Sequence, residues 1–197
     1  MQLILASASP RRSDLLRQLG VEFSVDAADI DEQRLGGEKP ADYVQRLAQE
    51  KAAAVAARHA GENVAVLAAD TAVVLDEDIL GKPGSPSEAL GMLARLSGRS
   101  HTVMTGCCLV PPGGEGQVIV VETRVTFRTL DYATCKAYLA TDEPWDKAGG
   151  YAIQGLAGAF VTTIEGSYSN VVGLPLAETW DMLADLGIAT ALEPASD

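Results

Sequence analysis

Basic residues, cysteine, histidine and long apolar runs are all scarce in this chain, and each scarcity removes a class of function. Only 15 Lys and Arg stand against 27 Asp and Glu in 197 residues, a formal net charge of −12. So acidic a chain is poorly suited to coat a nucleic-acid backbone, which normally needs a basic face to displace condensed counterions. A pocket for one small phosphorylated ligand remains open, because it needs only a few local cations. The three cysteines, Cys107, Cys108 and Cys135, are odd in number with two adjacent, which is neither a disulfide framework nor metal-ligand spacing. They point to a reducing compartment. His59 and His101 are the only histidines; no His-x-x-x-His metal pair is possible, and both read as structural. No stretch approaches the ~20 apolar residues of a membrane span. Residues 1–6 are apolar only briefly and their basic pair comes afterwards, the reverse of a secretory leader. A cytoplasmic protein with neither membrane nor nucleic-acid partners is expected.

What is present is a globular composition, 47% hydrophobic and 21% charged, without repeats or linkers. At a prior of ~150 residues per domain, the length suits one large domain or two intimate lobes. Short apolar strands alternate with amphipathic helices. Residues 3–6 read as a strand, Ser9 as an N-cap, Pro10 as N1 of a helix over 11–19, and Gly20 as its stop. A strand at 23–27 and an acidic segment to Lys39 precede a long helix at 40–59. Its apolar stripe reads as Tyr43, Leu47, Ala54 and Val55, with Arg46 and Lys51 elsewhere on the helix. Two β-rich runs, 64–69 and 72–75, flank Asp70-Thr71, and Asp76-Glu77-Asp78 reads as a turn. Ser85-Pro86-Ser87-Glu88 has capping-box form and opens a helix through Leu96. Residues 101–110 and 117–127 read as a hairpin, 131–140 as a helix, 160–165 as a strand, 166–170 as a turn and 176–186 as a closing helix. The fold class is therefore α/β, a mixed, partly antiparallel twisted sheet with flanking helices. Residues 188–197 read as a frayed tail.

Several catalytic signatures are missing. Gly81-Lys82-Pro83 looks like a fragment of a phosphate loop but lacks the upstream Gly and the following Ser/Thr, and no strand–GxGxxG–helix exists. No Gly-x-Ser-x-Gly elbow occurs either. Three clusters remain. Ser7-Ala8-Ser9-Pro10-Arg11-Arg12 sets hydroxyls and guanidiniums where a strand turns into a helix, which suits an anion or, more plainly, a capped helix with two solvated arginines. Asp70-Thr71 interrupts an apolar stretch. A carboxylate at such a strand end must be paired, solvated or metal-bound, and could hold a divalent ion or take a proton from water. The third is Glu143 to Gly155, where glycines permit close backbone approach and Asp146, Lys147 and Gln154 can bind charge or a base edge; a structural glycine turn with a surface ion pair explains it equally.

Five pieces in order, Ala6-Ser7-Ala8-Ser9-Pro10-Arg11-Arg12, Ala69-Asp70-Thr71, Gly81-Lys82-Pro83, Asp146 to Gly155 and residues 166–175, resemble the Maf nucleoside triphosphate pyrophosphatases. The resemblance runs from Leu3 to about Leu186. It implies hydrolysis of a nucleoside triphosphate to the monophosphate and pyrophosphate, assisted by a divalent cation such as Mg²⁺ or Mn²⁺. It implies an inosine triphosphatase-like fold with two lobes around a central cleft, one such domain over 1–187 and a tail at 188–197. Asp70 matches the family's proton acceptor, and Ser7, Arg12, Glu32, Lys51 and Lys82 its other active-site positions. Glu32 with Asp70 could hold the metal, Asp70 serving as base, ligand or both. Arg11, Thr71 and Gln154 resemble the dTTP/UTP branch. The 7-methyl-GTP branch tends to have Trp at the first Arg position, Gln in place of Thr71's type and Glu in place of the Gln. A neutral amide such as Gln154 both donates and accepts, as a uracil or thymine edge requires. Departures are Asp142 and Ala152, each where the family commonly has Gly. A homodimer and a part in septum formation are likewise implied. The alternatives are a 7-methyl-GTP pyrophosphatase and a nucleotide-binding regulator of septum formation with little turnover.

Overall fold

In the computed structural model, which describes residues 1–192, the chain opens with strand β1 (Gln2–Leu5) between two parallel neighbours, β2 (Phe23–Val25) and β3 (Val64–Leu75). Helices α1 (Pro10–Gln18) and α2 (Pro40–Arg58) make the crossovers that parallel pairing requires. Strand β4 (Asp78–Leu80) folds back antiparallel on β3 through Asp76 and Glu77, both at positive φ. The hairpin turn whose twist matches its strands needs such angles. Helix α3 (Pro86–Leu96) leads to β5 (Ser100–Val110) and β6 (Gln117–Phe127). Helix α4 (Tyr132–Leu139), β7 (Val161–Glu165), α5 (Tyr168–Val172) and α6 (Leu176–Asp185) complete the chain. The seven strands form one mixed sheet in the order β2-β1-β3-β5-β6-β7, with β4 branching from β3 and β7 antiparallel to β6. The expected mixed α/β class is observed.

Two compact units divide the chain: Met1–Asp70, Thr105–Val121 and the residues from Gly173 onward in one, Thr71–Met104 and Glu122–Val172 in the other. In the first, α2 lays Ala48, Ala52 and Val55 on Ile4, Ala6, Val66 and Ala68. These small side chains let the helix come close. Gly106 on β5 is part of the same fit, because a Cβ there would lie 2.2 Å from the Val44 carbonyl oxygen of α2. In the second unit the few aromatics gather: Phe127 meets His101, Tyr151 and Phe160 edge-on, at centroid distances of 5.0, 4.8 and 6.0 Å. Edge-on rings set positive edge against negative face.

Three expectations are corrected and a fourth, the Ser9 N-cap, holds in position only. The two β-rich runs around Asp70-Thr71 are one continuous 12-residue strand, because Asp70 pairs within the fold and the ladder need not break. Lys51 is on the buried stripe of α2 with Val44, Leu47, Ala48 and Val55. Residues 168–172 form a short helix where a turn is expected. Ser9 occupies the N-cap of α1 without a side-chain capping bond. The Ser85 cap does form, its side chain accepting from Glu88 N–H, while Glu88 Oε2 accepts from Gly84 N–H. Of the expected frayed tail, Ile188 and Thr190 are buried and Ala191 N–H donates to Leu19 O; residues 193–197 lie outside the described residues.

Candidate active site

Ser7 and Arg12 form the first part of the site, in the turn from β1 into α1. Ser7 is buried, and its Oγ accepts from Ser9 N–H at 3.2 Å and from Arg12 Nη1 at 3.1 Å. Arg12 Nε donates to Gly173 O at 2.9 Å, so a partner 161 residues away fixes the guanidinium plane. Desolvation lowers the Arg12 pKa from its ordinary value; the charges of Asp70, Cys107 and Glu32 oppose this and that of Arg11 adds to it. Arg12, Asp70 and Glu32 thus share one electrostatic neighbourhood.

The second part is a bridge of charges. Lys51 Nζ lies 2.6 Å from Asp70 Oδ1 and 2.7 Å from Glu32 Oε1. Lys51 and Asp70 are each 8% exposed. Buried charges survive only when paired, so each accounts for the other's position. Glu32 comes from the irregular segment between β2 and α2, and its side chain is half exposed. Tyr43 stands in the same field: burial first, then the negative charges of Asp70 and Glu32, push its phenol up to about 12. Among the described residues no three His, Cys, Asp or Glu converge as a closed metal cage. Two carboxylates with hard oxygen donors do fit a Mg²⁺-like ion, which keeps waters and is commonly shared with substrate phosphates.

Lys82, Thr71 and Gln154 belong to the second unit. Lys82 and Gln154 are exposed and Thr71 partly buried. Thr71 follows Asp70 along one strand, and successive side chains of a strand point to opposite faces. The third motif is built chiefly for packing. Gly149, at φ 70°, leaves only 3.0 Å between a notional Cβ and Val73, and its N–H donates to Gly81 O at 2.9 Å, tying the motif to the Lys82 loop. Gly155 makes room for the Glu143 carboxylate, which would lie 2.4 Å from a Cβ there. That carboxylate accepts from Leu156 N–H, Ala157 N–H and Tyr138 OH. Lys147 Nζ donates to Glu143 O at 2.9 Å and pairs with Asp146. Sequence reasoning missed the structural weight of Glu143, and it missed the bond between Tyr151 OH and His101 Nε2 at 2.7 Å. Partners 50 residues apart leave no local spacing to read.

Known proteins resemble the chain over most of its length. The family model described as Maf-like protein matches residues 2–186. A dTTP/UTP pyrophosphatase of Shewanella sp. (strain MR-7) is 52% identical over 194 residues, covering 95% of this chain and all of its own. One from Myxococcus xanthus (strain DK1622) is 54% identical over 186 residues, covering 94% and 93%. Among solved structures, a HAM1 protein from Coxiella burnetii aligns over 94% of this chain and 98% of its own, with 17% identity and a TM-score of 0.48. With the family model matching residues 2–186 and a relative 52% identical over 95% of its length, the chain belongs to the Maf-like protein family.

Proposed function

We propose that the chain is a nucleoside triphosphate pyrophosphatase acting on dTTP and UTP, with modified uridine triphosphates as further substrates. The carrying observation is the Lys51-bridged pair of Asp70 and Glu32 beside Arg12, in a chain about half identical to dTTP/UTP pyrophosphatases along its length. Water attacks the α-phosphorus, forming a P–O bond, and the bond to the bridging oxygen of the β-phosphate breaks; the monophosphate and pyrophosphate leave. Asp70 Oδ1 is engaged by Lys51, which leaves Oδ2 to accept the proton of the attacking water. Arg12, held by Ser7 and Gly173, sets its positive charge where phosphate oxygens would meet it. Lys51 offsets the carboxylates, so the anionic triphosphate does not meet two bare negative charges.

A divalent cation, Mg²⁺ or Mn²⁺, would be held by Glu32 and Asp70 and would neutralise charge developing on the phosphates. Lys82 serves the pyrophosphate oxygens, and Arg11, Thr71 and Gln154 select the base; the exposure of Lys82 and Gln154 keeps them accessible to a ligand. A homodimer, a cytoplasmic location and an influence on septum formation accompany the family reading. Among the described residues no helix is long and apolar enough to cross a membrane.

The test is pyrophosphate release from dTTP, UTP, CTP, GTP and 7-methyl-GTP, side by side with Mg²⁺ or Mn²⁺. We expect dTTP and UTP to lead, and Asp70→Asn to lose about 100-fold or more in kcat. Preference for 7-methyl-GTP would overturn the substrate, and an Asn variant as fast as wild type would overturn the base.

A further inference from the structure

Residues 26–39 connect β2 to α2 without regular structure, yet side chains of α2 hold their backbone: Arg58 Nη1 donates to Ala27 O at 3.0 Å near the start, and two adjacent carbonyls are held further on. Tyr43 OH donates to Glu32 O at 3.0 Å, and Arg46 Nη2 donates to Gln33 O at 3.1 Å. The same guanidinium closes a fork on Glu38, Nε to Oε1 at 2.6 Å and Nη2 to Oε2 at 3.0 Å. The Glu38 side chain is only 8% exposed. Glu38 Oε2 also accepts from Leu35 N–H at 3.0 Å, and Arg34 Nε donates to Glu38 O at 2.9 Å. Glu50, one helical turn beyond Arg46, takes Nη1. Tyr43 and Arg46, three residues apart, share a helix face, and the guanidinium lies 5.8 Å from the phenol ring centre.

One arginine therefore holds the second half of the segment at two points, Gln33 and Glu38. The consequence falls on Glu32, whose carboxylate must reach Lys51 from a stretch with no ladder of its own. Leaving that backbone free would cost ordering entropy each time the carboxylate was brought in. Bonds to the carbonyls of residues 32 and 33 meet that cost in advance.

We propose that Arg46, assisted by Tyr43, is the positioning residue for Glu32, latching the 26–39 segment onto α2 so that the carboxylate stands ready for the divalent cation. Its catalytic consequence rests on the pyrophosphatase reading; the latch itself does not. Lys at this position keeps the charge but loses the planar fork and the reach to Gln33 O.

Two measurements on the full chain test it, comparing Arg46→Lys with wild type. Hydrogen exchange in residues 32–38 should become about 10-fold faster, with α1 and the sheet unchanged. The Mg²⁺ concentration that half-activates dTTP hydrolysis should rise about 10- to 100-fold, kcat recovering at saturating Mg²⁺ and KM for dTTP changing little. A residue that merely stabilises the fold would lower the active fraction without moving the metal requirement. Tyr43→Phe, which removes one partly buried oxygen, should shift both readouts in the same direction by less, and it carries the test if Arg46→Lys fails to fold. Unchanged exchange overturns the latch, and an unchanged Mg²⁺ requirement in an active enzyme overturns the positioning role. A wild type that releases no pyrophosphate overturns the function reading instead.

Discussion

Lys51 carries an ammonium on the buried stripe of α2 because Asp70 and Glu32 both accept from it. A helix-periodicity argument sets a lysine on the outer face, since charge is costly to bury alone. The partners that reverse this lie 19 residues on and in an irregular segment, where no spacing rule reaches. His101 shows the opposite case, a titratable group kept neutral. It is 3% exposed, its Nε2 meets Tyr151 OH, and its Nδ1 has no hydrogen-bond partner among the described residues. Burial pushes its pKa down to about 4. Below the ordinary imidazole range the unfolded chain takes up a proton that the fold refuses. Stability is thus fully present above about pH 6.5 and falls as pH drops toward about 4. We expect a loss of about 2 kcal/mol from this group between about pH 7 and pH 5. Urea denaturation of wild type and His101→Gln at both pH values checks it: the variant should be weaker at neutral pH and show a smaller difference between the two. That His101 is structural was legible from the scarcity of partners; its bond to Tyr151 was not.

Element by element, local chemistry explains much. Pro10 and Gly20 bound α1, Ser85 caps α3, and Asp131 caps α4 by accepting from Thr134 N–H, all within a few residues of chain. What local pattern could not supply is how near α2 comes to the sheet. Gly106 decides that, because the Val44 carbonyl occupies the space a methyl group would need, and a helix backbone cannot yield as a side-chain tip can. Gly106→Ala should therefore push α2 outward at the level of Val44, destabilising the protein by about 2–3 kcal/mol. Since Lys51 rides on that helix, pyrophosphate release should fall as well. Urea unfolding and turnover, measured at a temperature where the variant remains folded, test both effects; an alanine variant equal to wild type in both would refute this packing argument. Strand β3 is the complementary case. Its apolar runs were readable, but their fusion through Asp70 depended on Lys51 being there to receive the carboxylate.

For the whole molecule, the net charge of −12 describes the exterior, while five of the 15 basic residues, Arg11, Arg12, Lys51, Lys82 and Lys147, lie in or beside the matched motifs. Local cations suit one nucleoside triphosphate and leave a long polyanion facing an acidic surface. No retention of duplex DNA is expected at about 0.15 M salt, and a fluorescence-anisotropy titration that saturated at micromolar protein would contradict this. Two lobes were expected, but the places where the chain passes between its two units escaped sequence reading. Three of the four boundaries, at 70/71, 104/105 and 121/122, fall inside β3, β5 and β6, where strand residues run on without a linker; the fourth, 172/173, falls at the end of α5.

By itself the sequence determined the alternation of strands and helices, the caps and stops, and the family to which the motifs belong, because each depends on neighbours along the chain. Only the tertiary structure decided that Lys51 is buried between Glu32 and Asp70, that Gly173 aims Arg12, and that Gly106 admits α2. Those outcomes depend on groups far apart in sequence, whose desolvation and packing energies exist only once the chain has brought them together.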